Sequence, residues 1–315
     1  MSNQINSLVF TFPGQGSQSI GMLSSLAESY PEVKLVFERA SDTLNKDLWS
    51  IATNGPKEEL DQTNNTQPIM LAAGFAVWSI WCQLSDLRPA WMAGHSLGEY
   101  TALVCSQAIT FEDGIQLVAA RGELMQAAVP EGIGAMAAII GLDDQKVIDI
   151  CLEATQSEIV SAVNFNSPGQ VVIAGHVNAV NRAMVIAKTA GAKMTVLLPV
   201  SVPSHCLLMQ PASEKLSTIL ASVNIATPNT KLLHNVDSCI HNSPETIRNA
   251  LKEQLYKPVQ WVDTIKLMFT QGASYFVECG PGKVLFGLNK RIVKANHLAI
   301  FDSESLNNLL EQFND

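Results

Sequence analysis

Residues 94–98 read Gly94-His95-Ser96-Leu97-Gly98, a serine set two residues from a glycine on either side. A serine becomes a nucleophile on a tight strand-to-helix turn. Small flanking residues let the backbone pass close to itself, and the helix N-terminus turns N–H groups toward the reacting oxygen. The N–H of Leu97 is then one donor to a tetrahedral oxyanion. In such sites the second donor comes from the loop after a neighbouring strand. Gln15 fits that place, because "PGQGSQSIG" (13–21) follows the short β-rich run "LVFTF" (8–12). This glycine loop is not a nucleotide cradle. Ser19 stands where G-x-G-x-x-G needs glycine, and the Gly-Lys-Ser/Thr of a phosphate loop is missing.

A serine nucleophile needs a base, usually histidine. The chain offers His95, His176, His205, His234, His241 and His297. His95 should point away from its neighbour Ser96. His176 ends a predicted hairpin strand, and His241 lies in a polar loop. His205, in "VSVPSHC", follows a Pro-Ser turn, which suits a loop beside a cleft. Pattern leaves His234 and His297 open. The hydrolase order of serine, acid, histidine is met by Asp237 or Asp263 with His297. If His205 is the base, Asp143, Asp144 and Asp149 precede it on a predicted helix, and none is a natural orienter. A backbone carbonyl or neutral amide can orient the ring instead. Arg121 follows the apolar run "IQLVAA". Its planar fork suits capture of a substrate carboxylate; an ordinary place on a helix surface is the alternative.

Secondary elements must bring these residues together. The run 90–96 reads as a buried strand and 97–107 as a helix, which supplies the strand, turn and helix that the serine needs. Residues 67–86 and 114–129 read as helices. From residue 130 the texture changes. A strand (134–142), a helix (143–156) with Asp143 as N-cap, two strands about a Ser-Pro-Gly turn (159–175), a glycine-closed helix (177–191) and a strand (192–200) follow in turn. That β-α-β-β-α-β order is ferredoxin-like. The predicted fold is therefore α/β: a hydrolase-like core with a parallel sheet, formed by 1–129 and 202–315, and a small ferredoxin-like subdomain over 130–201. Strands at 230–236 and 274–280 and helices at 243–256 and 283–296 complete the core.

Composition limits the function. Hydrophobic residues make up 47% of the 315 and charged residues 16%, which fits a well-packed globular chain. The net charge of −9 argues against nucleic-acid and anionic-membrane binding. The longest apolar stretch, 69–81, is too short to span a bilayer, and no secretory signal opens the sequence. The six cysteines are scattered without zinc spacing, so no metal site and a reducing, cytoplasmic setting are expected.

Eight stretches in order resemble the malonyl-CoA:acyl carrier protein transacylase family: "FPGQGSQ" (12–18), "AGHSLGEY" (93–100), "RGELMQ" (121–126), "GAMAAIIGL" (134–142), "VNFNSPGQVVIAG" (163–175), "PVSVPSH" (199–205), "QLYKPVQW" (254–261) and "GPGKVL" (280–285). The resemblance implies a serine acyltransferase that moves malonyl from malonyl-CoA to the phosphopantetheine thiol of acyl carrier protein, with no cofactor of its own. It implies Ser96 as nucleophile, His205 as base, and the backbone N–H groups of Gln15 and Leu97 as the oxyanion hole. Arg121 is the implied partner of the malonyl carboxylate, and the main-chain carbonyl of Gln254 the implied holder of the histidine. Carrier proteins are acidic, so docking is expected on a basic patch. Lys290, Arg291 and Lys294 in "NKRIVKAN" form the densest run. A hydrolase using Ser96 with His297, an inactive carrier-binding module and an acyltransferase of a polyketide-type pathway are the competing readings.

Overall fold

A computed structural model describes residues 3–200 and 202–314. Ser201, in the stretch before His205, lies outside the described residues, as do residues 1, 2 and 315 and hence the outer ends of the predicted blocks. The first half of the chain runs β1 (Asn3–Phe12), α1 (Ser24–Ser29), α2 (Glu32–Leu44), α3 (Leu48–Asn54), α4 (Lys57–Leu60), α5 (Thr63–Leu84), β2 (Leu87–Gly94), α6 (Gly98–Cys105) and α7 (Phe111–Ala128). Next come β3 (Gly134–Ile140), α8 (Asp144–Thr155), β4 (Val160–Ser167), β5 (Gln170–His176), α9 (Val177–Thr189) and β6 (Met194–Leu197). A single 3-10 turn (Leu207–Met209) leads into α10 (Gln210–Ser222), β7 (Lys231–Leu233), α11 (Pro244–Gln254), α12 (Trp261–Thr270), β8 (Tyr275–Cys279), α13 (Val284–Ile292), β9 (Asn296–Ile300) and α14 (Ser303–Asn314).

Five strands form a parallel sheet in the order β7-β2-β1-β8-β9. The middle strand, β1, is covered on both faces, and Leu8, Val9, Phe10, Thr11 and Phe12 are all fully buried. That explains its unbroken apolar reading, since a parallel strand under helices has no polar face. Because all five strands point one way, the ends of β1 and β2 lie side by side, with Phe12 opposite Gly94. The Gln15 loop and the Ser96 turn therefore leave the sheet together.

The second sheet is antiparallel, in the order β4-β5-β3-β6, the ferredoxin-like arrangement. One face carries α8 and α9 over a core of Ala137, Ile139, Val171, Ile173, Val147 and Ala183. Asp143 caps α8 by accepting the Lys146 N–H. The other face, with Met136, Ala138, Val172 and Ala174, packs on Cys206 and so roofs the residue after His205. A main-chain bridge ties this sheet to the core: Val259 N–H donates to Val163 O at 2.8 Å and Phe165 N–H to Val259 O at 3.1 Å.

Several elements differ from expectation. The helix expected over 283–296 stops at Ile292, where Val293 turns extended and the chain becomes the edge strand β9. The strand expected over 192–200 keeps only Met194–Leu197. Helices α10, α12 and α14 are additional to the elements expected from the sequence. Helix α5 is long and apolar enough to cross a membrane, yet it is mostly buried inside the protein, where it packs on α7, α2 and α6.

Candidate active site

Ser96 sits at φ 52°, left-handed for a residue with a side chain. Its turn is held from both sides: His95 N–H donates to Phe12 O at 3.0 Å, and Gly98 N–H to His95 O at 2.9 Å. A Cβ on Gly98 would lie 2.0 Å from Phe12 O, so only glycine lets the start of α6 pass so close to β1. The Gln15 loop rides on the same turn, where a Cβ on Gly14 would lie 2.5 Å from His95 O. Among the described residues no acceptor takes the backbone N–H of Gln15 or of Leu97. Two residues with free main-chain donors thus line the same cavity as Ser96.

His205 Nε2 lies 2.8 Å from Ser96 Oγ. On the other side of the ring, Nδ1 is 2.6 Å from the main-chain oxygen of Gln254. A carbonyl only accepts, so Nδ1 carries the proton and Nε2 is the basic atom facing the serine. His205 is itself at φ 64°, and its N–H donates to Leu255 O at 2.9 Å. The end of α11 therefore grips both its backbone and its ring. Burial, with the Arg121 guanidinium second, brings His205 down to about 3, so the ring is neutral.

Arg121, on α7, is 1% exposed, which removes the helix-surface alternative. Nη1 donates to Gln67 Oε1 at 2.8 Å and Nη2 to Gln254 Oε1 at 3.0 Å; Nη2 also lies 3.5 Å from Ser96 Oγ. The guanidinium stands 5.3 Å from the Tyr100 ring centre. Its Nε has no partner, and no carboxylate pairs with it among the described residues. Such a buried charge is costly unless an anion arrives.

Ser96, His205, Arg121, Gln15 and Leu97 line one cavity of about 120 Å³, closed by Met125, Met136, Leu198 and Val200. An adjoining hollow of about 420 Å³ shares Gln15, Thr63, Val200 and Val202 with it. A larger hollow, about 920 Å³ beside Trp78 and Phe111, holds none of these residues.

The other histidines are occupied elsewhere. His95 shares a hydrogen bond with Asn166 Oδ1 at 2.8 Å, although it also borders the cavity. His176 accepts from Ile159 N–H, and His241 pairs with Asp237. His297, on edge strand β9, bonds Val293 O, and neither Asp237 nor Asp263 reaches it. The triad of hydrolase order is thus not assembled. Lys290 and Arg291 end α13 and Lys294 follows it; all three are exposed and none lines the cavity. Sequence reading missed Gln67, Glu99 and Asn235, and it left His234 open as a base, whereas the structure sets its ring against Glu99 Oε1 at 2.6 Å. Glu99 and Gln67 carried a faint signal as polar side chains inside otherwise apolar helical runs.

Together the parallel sheet, the serine elbow and its histidine define a hydrolase-like α/β enzyme that works through a serine. A family model described as "Acyl transferase domain" matches residues 9–299. The malonyl CoA-acyl carrier protein transacylase of Escherichia coli K12 is 54% identical over 284 residues, covering 90% of this chain and 92% of its own. That of Bacillus subtilis is 40% identical, with 96% of each chain covered. The solved transacylase from Coxiella burnetii superposes with a TM-score of 0.96 at 47% identity over 97% of both chains. A malonyl-transacylase solved in complex with its type II PKS acyl-carrier protein gives 0.96 at 50% identity, covering 97% of this chain and 99% of that one. The chain belongs to the acyl transferase domain family and is an acyltransferase.

Proposed function

We propose that the protein transfers malonyl from malonyl-CoA to the phosphopantetheine thiol of acyl carrier protein, through a malonyl ester on Ser96, and so supplies extender units for fatty-acid synthesis. One observation carries the choice of acyl group: Arg121 is a buried guanidinium without a carboxylate partner, 3.5 Å from the Ser96 hydroxyl. A malonyl carboxylate supplies the missing anion. An acetyl group leaves the charge unpaired, at a cost of about 3–5 kcal/mol.

The reaction runs in two halves. His205 Nε2 takes the Ser96 proton as Oγ attacks the thioester carbonyl. The N–H groups of Gln15 and Leu97 hold the oxyanion, each worth about 3 kcal/mol. As the intermediate collapses, the C–S bond breaks and His205 returns the proton to the CoA thiolate. The carrier thiol then gives its proton to His205 and attacks the malonyl ester; collapse restores Ser96–OH. The Gln254 carbonyl holds the imidazole in the required tautomer throughout. No cofactor enters this scheme, since the phosphopantetheine belongs to the carrier.

The exposed Lys290, Arg291 and Lys294 are the proposed carrier contact, supported by their charge against an acidic partner. Reversing Lys290 and Arg291 should slow transfer to the carrier at low salt, where charge attraction is strongest; an unchanged rate moves the patch elsewhere. The cytoplasm is the proposed setting, in keeping with six free cysteines.

Intact-protein mass spectrometry after mixing with malonyl-CoA tests the whole scheme. A malonyl mass on Ser96 that leaves on adding carrier protein is the expected result. Release as free malonate without transfer to the carrier would sink the proposal in favour of a hydrolase.

A further inference from the structure

Both sides of the Ser96 peptide are held by side-chain amides from distant parts of the chain. Ser96 N–H donates to Asn235 Oδ1 at 2.7 Å, and Ser96 O accepts from Gln254 Nε2 at 2.9 Å. Asn235 also donates its Nδ2 to Gly94 O at 2.6 Å, clamping the turn from the strand side. The two residues meet at one carboxylate, Gln254 through its side-chain amide and Asn235 through its main chain. Glu99, fully buried in the first turn of α6, accepts the Asn235 N–H at 3.0 Å and Gln254 Nε2 at 2.8 Å on one oxygen. Its other oxygen takes His234 Nδ1 at 2.6 Å.

This arrangement leaves the Gln254 amide no choice of orientation. A carboxylate only accepts and a guanidinium only donates. Nε2 must therefore face Glu99 and Ser96 O, and Oε1 must face Arg121. The same residue's main-chain oxygen holds His205.

We propose that Glu99 is a positioning residue for acyl transfer: from one buried point its carboxylate sets the Ser96 turn, the seat of His205 and the acceptor that aims the Arg121 fork. This inference rests on the acyl-serine reading above.

Replacing Glu99 by glutamine keeps the shape but offers one acceptor atom to three donors. Its new NH2 invites the Gln254 amide to turn over, which would face Nε2 toward Arg121. Small displacements of reacting groups cost on the order of 10²-fold in rate. The expected result for Glu99→Gln is thus a fall of about that size in the single-turnover rate of Ser96 acylation per folded site. KM for malonyl-CoA should change by less than about threefold, and the preference for malonyl over acetyl should narrow. A role in stability alone would lower the folded fraction and leave the rate per active site, titrated with a fluorophosphonate probe, as in wild type. Glu99→Asp keeps the charge but withdraws it from the Gln254 amide and the Asn235 N–H, and covers the case in which the glutamine variant does not fold. It should acylate about tenfold slower than wild type. Wild-type protein that gains no malonyl on Ser96 overturns the acyl-serine reading. Wild type that loads, with variants that load as fast per site, overturns the role of Glu99 alone.

Discussion

His205 donates its Nδ1–H to the main-chain oxygen of Gln254 across 2.6 Å, where a hydrolase triad would present a carboxylate. A neutral carbonyl fixes the ring tautomer as well as an acid does. It stabilises the imidazolium less, because it brings a dipole and no full charge. The full charge nearest the chemistry is instead the cation Arg121, which the carboxylate of an incoming malonyl group would neutralise.

The pH dependence of acylation should reflect this. Burial, followed by Arg121, lowers His205 to about 3, and the base works when neutral. Acylation should stay flat as pH falls to about 5, well below the ordinary histidine range. Arg121→Ala removes the second cause and should move the acid limb upward. Stability follows the same group. The unfolded ring takes a proton near 6.5 and the folded ring only near 3, so this contribution is complete above 6.5 and lost as pH falls through that window. A wild-type acid limb near 6.5 in single-turnover kinetics would contradict the assignment.

Arg121→Ala should also loosen acyl choice. Truncating one partner of a buried charge pair costs about 2–5 kcal/mol. The ratio of kcat/KM for malonyl-CoA over acetyl-CoA should therefore fall by on the order of 10²-fold or more. An unchanged ratio in a folded variant would refute the role given to Arg121.

Gly98→Ala should disrupt the elbow. The new methyl would lie 2.0 Å from Phe12 O, with backbone on both sides, and the turn cannot yield without shifting β1. A loss of more than about 3 kcal/mol in denaturant unfolding is expected. Wild-type stability with full activity would show that the start of α6 packs less tightly on β1.

Glu278 offers a test away from the chemistry. It is buried at the C-terminal end of β8 and accepts Phe286 N–H at 2.7 Å, yet burial raises it from 4.5 to about 7. The folded state thus holds the proton more tightly than the unfolded chain. Its contribution to stability is complete below 4.5 and is lost as pH climbs to about 7. Glu278→Gln keeps an acceptor for Phe286 without that titration. The variant should gain on wild type by on the order of 2 kcal/mol between pH 5 and pH 8. Parallel pH–stability curves would rule this out.

Much of the site could be read locally. Gly94 and Gly98 around Ser96 announce a turn that needs small neighbours, and the apolar "LVFTF" announces a strand buried on both faces. The β-α-β-β-α-β order of 134–197 is written in alternating periods of two and 3.6. Element ends were harder to read. Val293 stops α13 early because its segment feeds edge strand β9, whose pairing with β8 is a long-range fact. Helix α14 packs on β9 and α1, and no spacing within its own sequence foretells that.

The sequence by itself determined the tight turn at Ser96 and so pointed to it as the candidate nucleophile, because a strained elbow depends on residues within a few positions of Ser96. It also determined, through a family resemblance, which histidine and which arginine to watch. Only the tertiary structure decided that Arg121 is buried with no carboxylate in direct contact among the described residues, that His297 and its aspartates stay apart, and that Asn235 and Gln254, both held by Glu99, converge on Ser96. That convergence depends on pairings between residues 136 to 158 positions apart. Hydrogen bonds act across a few ångströms of space whatever the distance along the chain, so a network of this kind exists only once the sheet has brought its ends together.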